Sequence, residues 1–196
     1  CEGILPCRPL HTMQSGVRTS VVVVSAPDHP VDFHQLVDSS INKPARYMGH
    51  ELGVEPRDWQ AAQVRWALTY PEIYEVGSSN LGHIILYSIL NAVPGQLCDR
   101  AYLPAADLAA RLREQEQALF GVESRRPLPA FDILGFSLSY ELGATNILEM
   151  LDLCRVPLRA SDRGDKPLND PAAPPLIFAG GPTATSNPEP YAPFFD

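Results

Sequence analysis

The stretch "VRWALTYPEIYEVGSSNLGHIILYSILN", residues 64–91, carries the pattern that decides the fold class. It opens with an apolar run that stops at Pro71, as a β-strand does. A loop of small polar residues, 77–80, follows. The remainder has apolar residues at helical spacing: Leu81, Ile84, Ile85 and Ile89. A strand that passes through such a loop into a helix, which Ser79 or Asn80 caps, predicts a βα unit.

The same alternation continues along the chain. Further strands are predicted in CDRAYLP (98–104), ALFGVES (118–124), FDILGFSLSY (131–140), VPLRA (156–160) and PLIFAGG (175–181). Further helices are predicted in AADLAARLREQEQ (105–117) and GATNILEMLDLCR (143–155). Strands that alternate with helices of about 10 to 15 residues form a parallel sheet with helices on both faces. The predicted fold class is therefore α/β, a Rossmann-like sheet of about five strands preceded by an irregular N-terminal arm.

The chain divides into three parts. Residues 1–41 carry scattered Pro, His and Ser and are predicted to be a flexible leader with a short strand at 21–25. Residues 42–62 hold Pro, Gly and aromatic residues and are predicted to be an irregular arm that packs across the domain. Residues 63–196 hold the predicted sheet. Because position 1 is Cys and the last residues are apolar, we expect a piece of a longer protein.

The charge balance argues against some partners. The chain has 196 residues, a net charge of −8 and a pI of about 5.1. Sequence-independent binding of nucleic acid needs clustered Lys and Arg, so an acidic chain is a poor candidate and no DNA partner is expected. No apolar run approaches the roughly 20 residues of a membrane span. We therefore expect no membrane association and a cytoplasmic location.

The four cysteines do not form a metal-binding pattern. They stand at positions 1, 7, 98 and 154, and no two of them make a CxxC pair. No metal site is therefore predicted. Cys98 and Cys154 lie in apolar surroundings and are predicted to be small core residues.

A ligand of an open parallel sheet binds beyond the carboxyl ends of the strands. Three predicted loops reach that edge, at 70–80, 137–146 and 180–187, and all are rich in Ser, Thr, Gly and Asn. Such residues let a backbone approach a ligand and donate hydrogen bonds to it. Ordinary βα turns use the same residues, so both interpretations stay open. The predicted cofactor-binding residues are Tyr74, Gly77, Ser78, Ser79, Asn80, Ser137, Ser139, Tyr140, Glu141, Gly180, Gly181, Pro182 and Thr183.

No catalytic residue is assigned. Four carboxylates fall in or near the loops: Glu72, Glu75, Glu141 and Glu189. Paired carboxylates serve acid–base chemistry, but they equally cap helices or pair with Arg. His83 is predicted to be a helix-face residue rather than a ligand. The sequence shows no phosphate loop and no Ser-His-Asp or Cys-His set at useful positions.

Five blocks of the sequence resemble one group of radical SAM proteins that carries an N-terminal B12-binding-like domain. The blocks occur in the same order as in that group, and the resemblance covers about residues 42–196. They are KPARYMGHELG, YPEIYEVGSSNLGHIILYSILN, DRAYLPAADLAARLRE, LFGVESRRPLPAFDILGFSLSYELGATNILEMLDL and LIFAGGPTATSNPEPYAPFFD.

The resemblance implies a Rossmann-like, cobalamin-type domain followed by a (β/α) barrel. In the family, a CxxxCxxC motif of the barrel holds a 4Fe–4S cluster that cleaves S-adenosylmethionine. This chain has no such motif, and a cluster needs closely spaced thiolates. The cluster and S-adenosylmethionine are therefore expected only in a missing radical SAM barrel, which is also the expected partner. The fragment alone is not expected to be catalytic.

The sequence departs from the motif D-x-H-x-x-G, in which a histidine is the lower ligand of cobalt. Around His83, Leu81 stands where the Asp belongs and Leu86 where the Gly belongs. Two possibilities remain. Cobalamin binds without a lower protein ligand, cradled by the three loops, or the fold keeps the shape without the corrin.

Three hypotheses follow, in this order of preference. The first is a cobalamin-binding-type domain of a radical SAM enzyme, truncated before its barrel. The second is a docking module of the same shape that binds no cofactor, and it predicts poorly defined loops and an exposed apolar patch. The third is an independent Rossmann-like nucleotide-binding protein, which would need a phosphate loop and a ribose-binding acid. Asp99 is the only acid near that place.

Overall fold

A computed structural model describes residues 29–49, 51, 54, 57–164, 170 and 173–196. The strand predicted at 21–25 lies outside the described residues.

The described residues form a parallel α/β sheet with the order β2-β1-β3-β4. The strands are β1 (Val64–Tyr70), β2 (Gln96–Tyr102), β3 (Ile133–Ser137) and β4 (Leu176–Gly180). The helices are α1 (Phe33–Leu36), α2 (Tyr74–Gly77), α3 (Leu81–Ala92), α4 (Ala106–Glu114), α5 (Gly143–Leu153), α6 (Ala160–Arg163) and α7 (Pro182–Ser186). Short 3-10 helices lie at Pro44–Tyr47, Leu128–Ala130 and Ala192–Phe194. The predicted fold class is confirmed.

Helices cover both faces of the sheet. The chain passes from β1 to β2 in one direction and from β2 over β1 to β3 in the other. Because parallel crossovers are right-handed, α3 and α4 lie on opposite faces. The connection from β3 to β4 runs in the same direction as the one before it, so α5 lies beside α4, which it contacts.

The main core lies between the sheet and the pair α4 and α5. Its central side chains are almost fully buried: Ala67, Leu108, Leu112, Leu134, Ile147, Met150 and Leu151. Cys98 and Cys154 are buried, as predicted. On the other face, Tyr70 and Tyr102 form a smaller cluster with Val122.

The sheet has four strands among the described residues rather than about five. The strand predicted at 118–124 is wrong: this segment makes an isolated bridge between Phe120 and Pro127 and then a turn. Its apolar residues are buried because they pack along β2, where the Val122 N–H donates to Arg100 O. The strand predicted at 156–160 is also wrong, since these residues are irregular until α6 begins.

The N-terminal part of the described chain packs against the domain before residue 42. Val31, Phe33 and Leu36, which belong to the predicted leader, are buried in the main core. In the arm, Tyr47 is buried and its hydroxyl accepts a hydrogen bond from Ala105 N. Trp59 packs edge-on against Phe131.

Candidate functional site

The first predicted loop is built around the start of α3. The Asn80 carboxamide oxygen accepts the His83 N–H at 2.9 Å and so caps α3, which decides between the two predicted caps, Ser79 and Asn80. Its Nδ2 lies 3.1 Å from the Tyr70 hydroxyl. Gly77 is required because a Cβ there would lie 2.5 Å from the Tyr102 ring. The loop is therefore bonded internally.

The three predicted loops are neighbours at the carboxyl edge of β1, β3 and β4. Asn146 Nδ2 donates to Pro71 O at 2.8 Å, and the Tyr140 hydroxyl contacts Glu72. Leu138 N donates to Gly180 O at 2.7 Å, which joins the second loop to the third. The edge thus brings the three predicted loops side by side.

The predicted residues differ in how available they are. Ser139, Tyr140, Glu141, Gly181 and Pro182 are exposed, whereas Gly77 and Thr183 are buried. The exposed Ser79 hydroxyl already donates to the backbone oxygens of its own turn, at 3.0 and 3.1 Å. A Cβ at Gly181 would lie 2.6 Å from Leu138 O, so chain packing fills the space beside it. A Cβ at Gly180, by contrast, would have nothing within 4 Å of it.

A buried ionic cluster next to this edge was not predicted. Arg100 of β2, 4% exposed, donates to Glu51 at 2.7 Å and to Glu123 at 2.8 Å. Glu123 also accepts from the Tyr87 hydroxyl at 2.8 Å, and the guanidinium lies 4.7 Å from the centre of the Tyr87 ring. Tyr74, a predicted site residue, donates to Glu51 at 2.5 Å. The cluster joins the arm, α2, α3, β2 and the 119–126 segment.

Asp99 anchors the same segment from the neighbouring position of β2. Its carboxylate accepts the Ser124 hydroxyl at 2.6 Å, the Ser124 N–H at 2.9 Å and the Glu123 N–H at 3.0 Å. Burial raises the pKa of Asp99, with these hydrogen bonds opposing the shift. Burial, reinforced by the charge of Asp99, also raises the pKa of Glu123 to about 7. A cavity of about 90 Å³ opens beside both carboxylates.

His83 points inward and does not reach solvent. It is 1% exposed and lies between the rings of Tyr70 and Tyr102, at 5.5 and 5.7 Å. Both of its ring nitrogens lack a hydrogen-bond partner among the described residues, as do Tyr102 Oη and Arg100 Nη2. Burial, and after it the charge of Arg100, lowers the pKa of His83 to about 4, so the ring is neutral at pH 7.

The polar side of α3 faces the sheet. His83, Tyr87 and Asn91 stand four residues apart and turn inward, and Asn91 makes two 2.9 Å hydrogen bonds to the backbone of Cys98. The aliphatic side chains of α3 face outward instead: Leu81, Ile85, Leu86 and Ile89. The helical spacing was predicted from the sequence, but the direction of its two sides was not. The four-residue spacing of His83, Tyr87 and Asn91 was the feature of the sequence that could have indicated an inward polar side.

Residues 82–196, more than half of the chain, match the family described as radical SAM proteins, N-terminal. The chain belongs to this family. A comparison with curated proteins and one with solved structures each returned no match. In the described part of this radical SAM N-terminal domain, no helix has the length and apolar character needed to cross a membrane.

The described residues of this radical SAM N-terminal domain offer no ligand set for the metals that the family implies. They include no group of three metal-binding side chains. The two described thiols are buried on different elements, and burial raises the pKa of both. They do not fit a 4Fe–4S cluster, which binds thiolates. His83 does not fit as a ligand of cobalt, because Tyr70, Tyr102 and α3 enclose it.

Proposed function

We propose that this chain is the N-terminal, non-catalytic module of a radical SAM enzyme. The 4Fe–4S cluster and S-adenosylmethionine then belong to a radical SAM barrel outside this chain, and that barrel is its partner. The family match supports the first statement. The single structural observation that carries the proposal is the placement of Cys98 and Cys154, two buried core thiols that no cluster can reach.

Cobalamin at the three-loop edge is a second candidate function. The contiguity of the three loops and the open space beside Gly180 favour it. His83 would not be a ligand of a corrin bound there, because its ring faces the sheet. The loops would hold it through backbone groups and the exposed side chains of Ser139 and Tyr140.

Anaerobic reconstitution with iron and sulfide tests the main proposal. The chain alone is expected to take up no 4Fe–4S cluster, whereas the full polypeptide is expected to take up one and to bind S-adenosylmethionine. A stoichiometric cluster in the chain alone would overturn the proposal.

Titration with hydroxocobalamin, followed by corrin absorbance, tests the second candidate. Saturable binding that Ser139→Trp abolishes and Ser161→Trp retains would support the edge site, because Ser161 is exposed on α6, outside the three loops. If no binding is seen at about millimolar cobalamin, the Kd is weaker than millimolar and the second candidate function is refuted.

A further inference from the structure

Helix α3 is inverted relative to an ordinary surface helix. A surface helix turns its apolar stripe to the core and its polar side to water. In α3 the inward positions are His83, Tyr87 and Asn91, and the outward positions are mostly aliphatic, with Gly82 and Ser88 as the exceptions. We call the four most exposed of the aliphatic residues the α3 outer face: Leu81, Ile85, Leu86 and Ile89, between 47% and 69% exposed.

The inversion has a structural cause on the inner side. Tyr87 donates to Glu123 and stacks on Arg100, and Asn91 bonds the backbone of Cys98. These contacts fix the rotation of the helix about its axis. The outer face therefore cannot turn inward without breaking the buried ionic cluster, so its apolar side chains remain available to another surface.

The size and charge of the outer face indicate what kind of surface covers it. Helix α3 contains no Asp, Glu, Lys or Arg, although the chain has a net charge of −8. With the flanking Ile84 and Val93, it leaves on the order of 600 Å² of apolar surface open, as much as the largest patches on monomeric proteins. If a partner covered this face with a surface of similar area, the interface would bury about 1,200 Å² in total. This value is within the range of interfaces between domains of one chain.

A separate partner would be held by an interface at the lower limit of size. Stable complexes of separate proteins bury about 1,200 to 2,000 Å² in total. A covalently attached domain needs less, because the linker holds it at an effective concentration of about millimolar. The area therefore favours a neighbouring domain of the same polypeptide over a second copy of the chain.

We propose that the α3 outer face is the docking surface for the radical SAM domain of the same polypeptide, which presents an aliphatic, uncharged surface to it. This inference rests on the proposed function. The same side of the sheet also exposes Phe178 of β4, which packs on Trp66 of β1. Tyr70 of β1 contacts α3, and Trp66 stands four strand positions before it and so on the same side of the sheet. Trp66 and Phe178 therefore lie on the α3 side.

Thiol labelling of the full polypeptide tests the proposal. Ile85→Cys places a thiol on the α3 outer face, and Leu158→Cys places one at a matched exposed aliphatic position outside it. Maleimide labelling is read at each site by peptide mass spectrometry, with the chain alone as the reference. Cys98 and Cys154 are buried, so their lack of labelling reports that each sample is folded.

The expected result is that Ile85→Cys reacts about tenfold more slowly in the full polypeptide than in the chain alone, as a docked population of about nine in ten would give. Leu158→Cys should react at the same rate in both. If the chain alone is unfolded, it cannot serve as the reference. The labelling rates of the two sites are then compared within the full polypeptide, after each rate is divided by the rate of the same site in the denatured protein.

Three results would overturn the proposal, and they have different meanings. Equal labelling of the two sites in a polypeptide that holds its 4Fe–4S cluster would refute docking and leave the proposed function intact. A polypeptide that takes up no cluster would refute the proposed function itself. Protection of Ile85→Cys in the chain alone, with a dimer in sedimentation, would assign the face to a second copy.

Discussion

At the scale of single residues, His83 shows how a polar side chain is kept neutral by its position. The ring stays between Tyr70 and Tyr102 because Asn80 and Asn91 hold the two ends of α3 against β1 and β2. Its two unpaired nitrogens make this position costly, since a buried polar group without a partner lowers stability. The sequence predicted a helix-face histidine, and only its inward direction was missed.

Replacing His83 by Phe is expected to stabilise the domain in acid. The pKa of His83 is about 4 in the folded chain and near 6.5 when unfolded, so wild-type stability is complete above pH 6.5 and falls between pH 6.5 and 4. At pH 5 the loss amounts to about 2 kcal/mol. Urea unfolding at pH 5 and pH 7.5 should therefore show a larger advantage of His83→Phe over wild type at pH 5.

Glu123 is present in both proteins, so the difference in stability between variant and wild type separates the effect of His83 from that of Glu123. The raised pKa of Glu123, about 7, works in the opposite direction, since its contribution to stability falls as pH rises from 4.5 to 7. His34→Phe, at an exposed position of α1, controls for the loss of a histidine. An advantage of the same size at both pH values would contradict the assignment.

At the scale of elements, Arg100 connects parts of the chain that are distant in sequence. Its guanidinium pairs with Glu51 of the arm and with Glu123 of the 119–126 segment. It also stacks on the ring of Tyr87 in α3. A charged pair in the middle of a parallel strand, Asp99 and Arg100, was the signal for this cluster. The sequence could not identify the partners, because they come from segments up to 49 residues away.

Arg100→Met is expected to destabilise the domain by about 3–5 kcal/mol, because it leaves two partly buried carboxylates without their cation. Arg113→Met is the matched control. Arg113 pairs with Glu149 and Asp152 at the surface, where such pairs contribute less than about 1 kcal/mol. Urea midpoints of the two variants measure the difference. Similar losses in both would show that the cluster does not hold these elements together.

At the scale of the whole molecule, the chain combines an acidic surface with an uncharged apolar helix face. The main core lies under α4 and α5, so it does not need the aliphatic residues of α3. The second hypothesis from the sequence, a docking module, predicted an exposed apolar patch, and the α3 outer face is such a patch.

The chain alone is expected to bind the dye ANS, which reports exposed apolar surface. The double variant Ile85→Lys and Ile89→Lys should roughly halve the fluorescence by breaking the patch. Its melting temperature should change little, because both side chains are exposed. Leu158→Lys is the control and should keep the signal. Unchanged fluorescence in the double variant would place the apolar surface elsewhere.

The sequence by itself determined the α/β class, the parallel sheet, a cap of α3 at Ser79 or Asn80 and the buried cysteines. These follow from local periodicity, capping chemistry and composition, which are properties of neighbouring residues. Only the tertiary structure decided that 118–124 packs beside β2 without becoming a strand and that residues 29–41 join the core. It also decided which side of α3 faces the sheet. Periodicity reports that a helix has two sides, but the side that turns inward is selected by Arg100, Glu123 and Cys98, which meet α3 only when the chain is folded.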